Sequence, residues 1–464
     1  MESKDNSLAV LDVLIENKNV SGIVKDTIES DRSSICSNST LDNSIVQSPS
    51  LESFSTLPDT EALSELNIDE NSDLYVKVDN PQKHLDTLET YITFRITTRV
   101  ARIEFNENEY IVRRRYNEFA WLRQRLLECH PFCIIPPLPA KHTLIGQLDR
   151  YAKDFVLVRM KLLNTFLLRV TQHPILSCNE HFKVFLTAGQ SDFHLYRKQR
   201  SHVNNKILMI DNTSISSSRS SIKNRHIEFE KAKEYLNILS EKLISIEKIA
   251  SRINKESQEF VNELQTYYPI FFSWATSEPN LSPILHNIAN AFIKCKFAQS
   301  SLIYSYQNTM ANPIKEFITY VDVVKETLNK RDVFQHVYNT SIEDLDKKRE
   351  EKDQLLSMQS VSSQSVGFSL WKQPTLDDKL EKLGVHIPQL LKKVETNQDN
   401  LECANESLRS DLERWQLEKQ SCLKKILLDF VNKQIECYEK SVCAWEHVTA
   451  ELNSQNVTLR STKK

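Results

Sequence analysis

From Leu74 the chain alternates apolar and polar residues, and the alternation predicts strands. Leu74-Tyr75-Val76-Lys77-Val78 reads as the first. Ile92, Phe94, Ile96 and Val100 share one side of a second, and Tyr110 to Tyr116 forms a third. Three such segments in a row predict a small antiparallel meander. The period then lengthens. Phe119, Leu122 and Leu126 fall at helical spacing and predict a first helix of about a dozen residues. A proline loop follows, Ile135-Pro136-Pro137-Leu138-Pro139-Ala140-Lys141. After it, Tyr151 to Val170 carries Phe155, Leu162, Leu163, Phe166 and Leu167 on one side, and Asn179 to Thr187 reads as a short helix. Residues 74–190 are therefore expected to form an α+β module of about 115 residues, enough for its own core.

Beyond His226 the pattern is helical almost to the end. Three segments are expected, roughly 226–275, 282–357 and 385–457. Breaks are expected at 269–283, which holds three prolines, and at 358–384, rich in Ser, Gln, Gly and Pro. Pro313 should kink the second segment. Residues 389–464 contain neither Gly nor Pro, so one helix of up to about 70 residues, about 100 Å long, is possible. Leu408, Leu412, Trp415, Leu423, Ile426, Phe430, Tyr438, Val442, Trp445 and Leu452 keep mostly to steps of three and four, a stripe of coiled-coil type. Three long antiparallel helices cannot bury that stripe in one thin bundle, so a dimer is expected to complete it. Residues 191–225 read as a basic, serine-rich linker containing Arg197, Lys198, Arg200, Lys206, Arg219, Lys223 and Arg225. Residues 1–73 read as a disordered acidic tail.

Charge sharpens this division. Residues 1–73 hold 4 Lys/Arg against 15 Asp/Glu, a net of -11, whereas residues 74–189 hold 17 against 11, a net of +6. A basic module implies an anionic partner, with membrane lipid and nucleic acid the obvious classes. Only 5 glycines occur in 464 residues, which suits long helices better than a loop-rich enzyme. No G-x-S-x-G, Walker loop, H-E-x-x-H or triad arrangement is present, so no enzyme is expected. The nine cysteines form no C-x-x-C pair and read as reduced cytosolic thiols. His130, His142 and His173 lack a second ligand at metal spacing, so neither metal nor cofactor is expected. No signal-peptide pattern opens the chain, and no apolar run is long enough to span a bilayer.

The densest chemistry lies where Arg113-Arg114-Arg115 runs into Tyr116, about twenty-five residues before the proline loop closes on Lys141. Arginine forks match phosphate oxygens, an aromatic face suits a sugar-like ring, and prolines limit the entropy lost on binding. In a strand, neighbouring side chains point opposite ways. Arg114 is thus set apart from Arg113 and Arg115, and Arg113 is at most auxiliary.

The run Arg114-Arg115-Tyr116-Asn117-Glu118-Phe119-Ala120-Trp121-Leu122, the Ile-Pro-Pro-Leu-Pro-Ala-Lys loop and Phe155-x-x-x-Arg159 resemble a phox-homology (PX) domain. With the helices behind it, the chain resembles sorting nexins of the PX-BAR type, and most closely the sorting nexin seven/thirty subgroup. That finer likeness rests on Ile134 to Pro139, on His181 to Ala188, and on Leu401-Glu402-Cys403-Ala404-Asn405, Glu413-Arg414-Trp415 and Trp445-Glu446. It implies a three-stranded antiparallel sheet with helices, followed by an all-α, three-helix BAR-type coiled coil over 226–464. It further implies that Arg115 grips the 3-phosphate of phosphatidylinositol 3-phosphate, Tyr116 packs on the inositol ring, Lys141 meets the 1-phosphate and Arg159 meets ring hydroxyls. Leu144 and Ile145 become candidates for insertion into lipid. The plain alternatives are a salt-bridged strand end for Arg115, a solvated loop charge for Lys141 and a surface ion pair for Arg159.

The same resemblance implies a peripheral protein on the cytoplasmic face of early endosomes, acting in cargo recycling with links to autophagy. It implies a homodimer, or a heterodimer with a related sorting nexin, sorting nexin four being expected. One departure stands out. Asp211-Asn212-Thr213-Ser214 and the serine run after it interrupt any apolar face in the linker, which argues against strong curvature generation by an amphipathic helix there. The competing reading is a coiled-coil scaffold whose basic module grips RNA through Arg, Lys, Tyr110 and Tyr116. No RNA-binding signature is present, and no nucleic-acid partner is expected.

Overall fold

The computed structural model describes residues 73–85, 90–141, 152–199, 226–361 and 376–461. The acidic tail up to residue 72, Leu144 and Ile145, and linker residues 200–225 lie outside the described residues.

Strands β1 (Leu74–Leu85), β2 (Thr90–Val100) and β3 (Glu109–Arg115) form an antiparallel meander in the order β1-β2-β3. Alternation places Leu74, Val76, Val78, Phe94, Ile96 and Val112 in the core. The β1–β2 register slips between Asp79 and Gln82. Asn80 there takes φ 42°, a conformation that asparagine tolerates better than most residues. Pro81 follows it and has no ladder donor to lose.

Helix α1 (Tyr116–Cys129) begins directly after β3. Arg115 is both the last strand residue and the helix cap, and its backbone N–H donates to Glu118 Oε2 at 2.8 Å. Helix α2 (Lys153–Gln172) crosses the sheet and offers Asn164 Oδ1 to the Val78 N–H at 2.8 Å. Helix α3 (Glu180–Thr187) is capped by Asn179, whose side chain accepts from the N–H groups of His181 and Phe182. Helix α4 (Gln190–Gln199) occupies the start of the stretch read as a polar linker. Its Phe193 is fully buried, edge-on to Trp121 at 5.1 Å. The polar composition concealed this one anchoring side chain.

The remaining helices are α5 (Ile227–Ser277), α6 (Ser282–Tyr306), α7 (Asn312–Val361) and α8 (Leu376–Ser461). The break expected from residue 269 begins only after Ser277, because Pro269 is carried inside α5. Rings on both sides of it are held: Tyr267 stacks on Phe292 of α6 at 4.3 Å and Phe271 at 5.5 Å. Pro283 falls in the first turn of α6, where its missing N–H costs nothing. The interruption expected at Pro313 takes the form of a π turn, Gln307–Ala311, just before α7. Helix α8 starts nine residues ahead of the expected 385 and carries Gly384 and Pro388 within it. Tertiary packing and helix length outweigh these two local penalties.

One core lies inside the α+β module, around Phe119, Leu163, Phe166 and Phe185. A second joins α5, α7 and α8 through Phe229, Leu236, Phe317, Tyr320, Leu408 and Trp415. Phe317 stacks on Trp415 at 6.2 Å. Lys419 is buried beside this core, its Nζ donating to Tyr235 Oη at 2.6 Å and to Gln416 Oε1 at 2.5 Å. Burial pushes its pKa down to about 8. An unfolded lysine keeps its proton to about pH 10.4, so the unfolded chain binds more protons over that interval and stability rises with pH. The thermal midpoint of the wild type, measured against Lys419→Met by calorimetry from pH 7 to 9.5, should therefore climb. A constant difference would show that the ammonium is not strained by burial.

Candidate functional site

The pleat of β3 sends its three arginines to different tasks. Arg114 points inward and is 1% exposed. Its Nε donates to the Phe185 carbonyl at 3.0 Å and its Nη2 to the Ala188 carbonyl at 2.6 Å, at the C-terminal end of α3. The guanidinium lies 4.2 Å from the Phe193 ring centroid, so it also clasps α4. Burial lowers its pKa to about 10, and it stays charged at neutral pH. Arg113 is committed to the sheet. It donates to Thr93 Oγ1 at 3.0 Å and to the Asn80 carbonyl of the bulge at 2.5 Å. Arg115 shares Arg113's face and is half-buried at the module surface. Its guanidinium sits 5.8 Å from the Tyr91 ring, which stacks on His84 at 5.1 Å.

Tyr116 and Arg159 meet beside it. The Arg159 guanidinium lies over the Tyr116 ring at 4.4 Å and over Phe155 at 4.8 Å. Both hold the end of the proline loop: Tyr116 Oη donates to the Pro139 carbonyl at 2.5 Å, and Arg159 Nη2 to the Ala140 carbonyl at 2.8 Å. Arg123 of α1 ties the middle of the loop, donating from Nε to the Pro136 carbonyl at 2.9 Å. Arg159 is only 9% exposed and has no carboxylate partner among the described residues, and its buried Nε is unpartnered there. Burial lowers its pKa, so an anion or polyol at its open side would relieve an existing cost. Burial likewise raises the pKa of the Tyr116 phenol. Lys141 is exposed at the end of the loop. The fold thus unites Tyr116, Arg159 and the loop end, with Arg115 adjacent in the chain. Fixed cations, a ring face and a pinned loop are suited to a phosphorylated, hydroxylated ring.

A second polar group lies where the α+β module meets the helices, and sequence reading missed it. Arg169 of α2 forms ion pairs with Glu316 of α7 and with Glu418 of α8, the latter at 2.5 Å. Tyr320 donates to the same Glu418 at 3.0 Å. Nearby, Asp411 of α8 accepts the Ile134 N–H at 2.6 Å and pairs with His173 Nε2 at 3.0 Å. Nothing in local spacing signals contacts between residues so distant in sequence.

His173, expected to lack metal-ligand neighbours, is brought within 4.8 Å of Cys133 and Asp411 by the fold. Their bonding points elsewhere. His173 Nδ1 accepts from the N–H groups of Ile175 and Leu176, so Nε2 carries the proton toward Asp411. Burial, together with Asp411, pushes the Cys133 thiol up to about 12. His173 and Asp411 form a hydrogen-bonded junction, with the Cys133 thiol beside them.

Comparison with known proteins assigns both parts of the chain to known families. A PX domain family model matches residues 102–188, and a Vps5 C-terminal-like model matches residues 209–451. Sorting nexin-30 of Mus musculus is 35% identical over 84% of this chain and 80% of its own. Sorting nexin-7 of Homo sapiens is 32% identical over 87% of this chain and 97% of its own. The cryo-EM structure of the SNX-BAR Mvp1 tetramer shares the fold, with a TM-score of 0.56 at 17% identity over 81% of this chain and 99% of its own.

The division of labour among the arginines has a measurable consequence. Arg114→Ala strands two carbonyls and opens a cavity beside Phe193, and should cost about 2–4 kcal/mol, read as a clearly lowered thermal midpoint. Arg115→Ala should shift that midpoint by little. Equal shifts would mean that the pleat does not separate the two side chains as described.

Proposed function

The chain belongs to the PX-BAR sorting nexins, non-enzymatic peripheral membrane proteins of endosomal trafficking, and on that premise we propose that it binds phosphatidylinositol 3-phosphate through Arg115, Tyr116, Lys141 and Arg159. The observation that carries this reading is the Arg159–Tyr116 stack tied to the loop carbonyls of Pro139 and Ala140, beside Arg115. Arg115 takes the 3-phosphate, Tyr116 the ring face, Lys141 the 1-phosphate and Arg159 the ring hydroxyls. Leu144 and Ile145 follow Lys141 in the chain and are assigned to insertion in lipid. The proposed division is an acidic tail (1–73), a PX module (74–190), a basic linker (191–225) and a BAR module (226–464). No helix among the described residues is long and apolar enough to cross a membrane.

Dimerisation is supported by an exposed apolar seam on α8. Leu428, Val431, Ile435, Tyr438, Val442 and Trp445 recur at steps of three and four, and each is at least 40% exposed. Ile246, Ile249, Ile253 and Phe260 repeat the pattern on α5. A seam of this period left in water calls for a second chain. That chain is either a second copy or a related sorting nexin, with sorting nexin four the expected partner. Two weak pockets on one dimer gain avidity at a membrane. The assembly would then act on early endosomes in cargo recycling and in autophagy-linked sorting. The interrupted linker contributes charge to this contact rather than an inserted helix.

Flotation with vesicles of phosphatidylcholine and phosphatidylinositol 3-phosphate tests the pocket. Arg115→Ala or Tyr116→Ala should lower binding at least about tenfold, about 1.4 kcal/mol. Undiminished binding would overturn the assignment. The seam is tested separately by native mass measurement. Tyr438→Glu with Val442→Glu should leave a chain of 53.9 kDa, and a dimer that survives both charges rules the seam out.

A further inference from the structure

The proline loop of the proposed pocket is held from outside its own module. Of the residues from Ile134 to Pro139, Pro136, Pro137 and Pro139 have no N–H to offer. The later part of the loop is accordingly tied through its carbonyls, by Arg123, Tyr116 and Arg159, all from the α+β module. The first tie is different. The Ile134 N–H donates to Asp411 Oδ2 at 2.6 Å, and Asp411 belongs to α8, 277 positions further along the chain. The Ile134 side chain is fully buried in the core that holds Phe317, Tyr320 and Trp415, not in the core of its own module.

Asp411 is placed for this task and is itself held. It is 4% exposed. Besides the Ile134 N–H it accepts a hydrogen bond from His173 Nε2, and Arg414 Nη2 lies 3.5 Å from it. Burial works against its charge, but the hydrogen bond from His173, the charge of Arg414 and the Ile134 N–H outweigh that, and its pKa is lowered. A short hydrogen bond to an ionised carboxylate is stronger and more directional than a neutral one. His173 is fixed in turn by the N–H groups of Ile175 and Leu176.

We propose that Asp411 is a positioning residue for the phosphoinositide pocket: by anchoring Ile134 it sets where the loop ending in Lys141 begins, so that the helical module fixes the geometry of a pocket it does not line. This rests on the pocket reading above. The prolines stiffen the loop internally but cannot choose its position, which its anchors decide. Displacement at the first anchor is carried along a stiff segment instead of being absorbed by it.

The test uses the full chain in its native assembly and soluble dibutanoyl phosphatidylinositol 3-phosphate, read by calorimetry, so membrane avidity does not enter. Asp411→Ala should weaken this binding about tenfold, and Asp411→Asn, which keeps an acceptor for the Ile134 N–H, should return it to within about threefold of wild type. Phe334→Leu trims an adjoining apolar contact, Phe132 against Phe334 at 4.7 Å, without touching the loop tie or the ion pairs, and should stay within about twofold. Amide exchange at Ile134 should speed up in the alanine variant only. Wild-type affinity in Asp411→Ala overturns the proposal, because the loop then needs no tie. An equal loss in Phe334→Leu also overturns it, because any loosening of the junction would then suffice. If Asp411→Ala does not fold, the asparagine variant decides: a protected Ile134 amide with tenfold weaker binding overturns the role, and retained binding supports it. If the unmodified chain binds no lipid, the pocket reading fails instead.

Discussion

Burying Arg169 is the constraint on which the relation of the two modules depends. Its side chain is 7% exposed in the junction, and an isolated guanidinium there would carry a prohibitive desolvation cost. The cost is met by two carboxylates from different helices, Glu316 of α7 and Glu418 of α8, with the Tyr320 ring at 4.2 Å. Burial alone would lower the arginine pKa, but the two carboxylates raise it above its ordinary value. Such a group tolerates only one arrangement of its partners. Sliding the α+β module along the helices would strand one buried charge and two half-buried ones at once. Hydrophobic contacts, such as Phe132 against Phe334 at 4.7 Å, add area, but the ion cluster supplies the registry.

The same logic separates structural from functional arginines. Arg114 and Arg169 have buried neighbours for most of their donors. Arg113 is absorbed by the β-bulge, whose carbonyl at Asn80 is exposed to it by the register slip. Arg159 is different: it is buried, carries charge, stacks on Tyr116, and keeps an unpartnered Nε among the described residues. A cation held at a cost beside an open surface is the chemistry of a receptor for an anion or polyol. The pocket and the junction are also joined through one short segment. Cys133 and Ile134 face the helices, and the next residues lead to the loop that Tyr116 and Arg159 hold.

Much of this was legible in one dimension. Period-two alternation located β1, β2 and β3, and the change of period located α1, because each depends on neighbours a few residues away. The arginine-tyrosine pair and the proline loop could be recognised as a resemblance because their residues are contiguous. Errors arose where a local rule met a non-local one. Pro269 and Gly384 disfavour helix by local preference, yet α5 and α8 continue through them. Helix α4 was hidden in polar sequence because Phe193 is the one fully buried side chain among its described residues. Arg159 read equally as a surface ion pair, since α2 has a surface face at the same spacing.

The sequence by itself determined the α+β module, the long helices, the apolar stripe on α8 and the family, because periodicity and contiguous motifs are properties of the chain order. Only the tertiary structure decided which arginines are committed to the sheet and the junction, how His173, Cys133 and Asp411 meet, and that Ile134 is anchored by a helix 277 positions away. Those outcomes depend on which charges are taken out of water together. That is set by three-dimensional burial, and no local pattern encodes it.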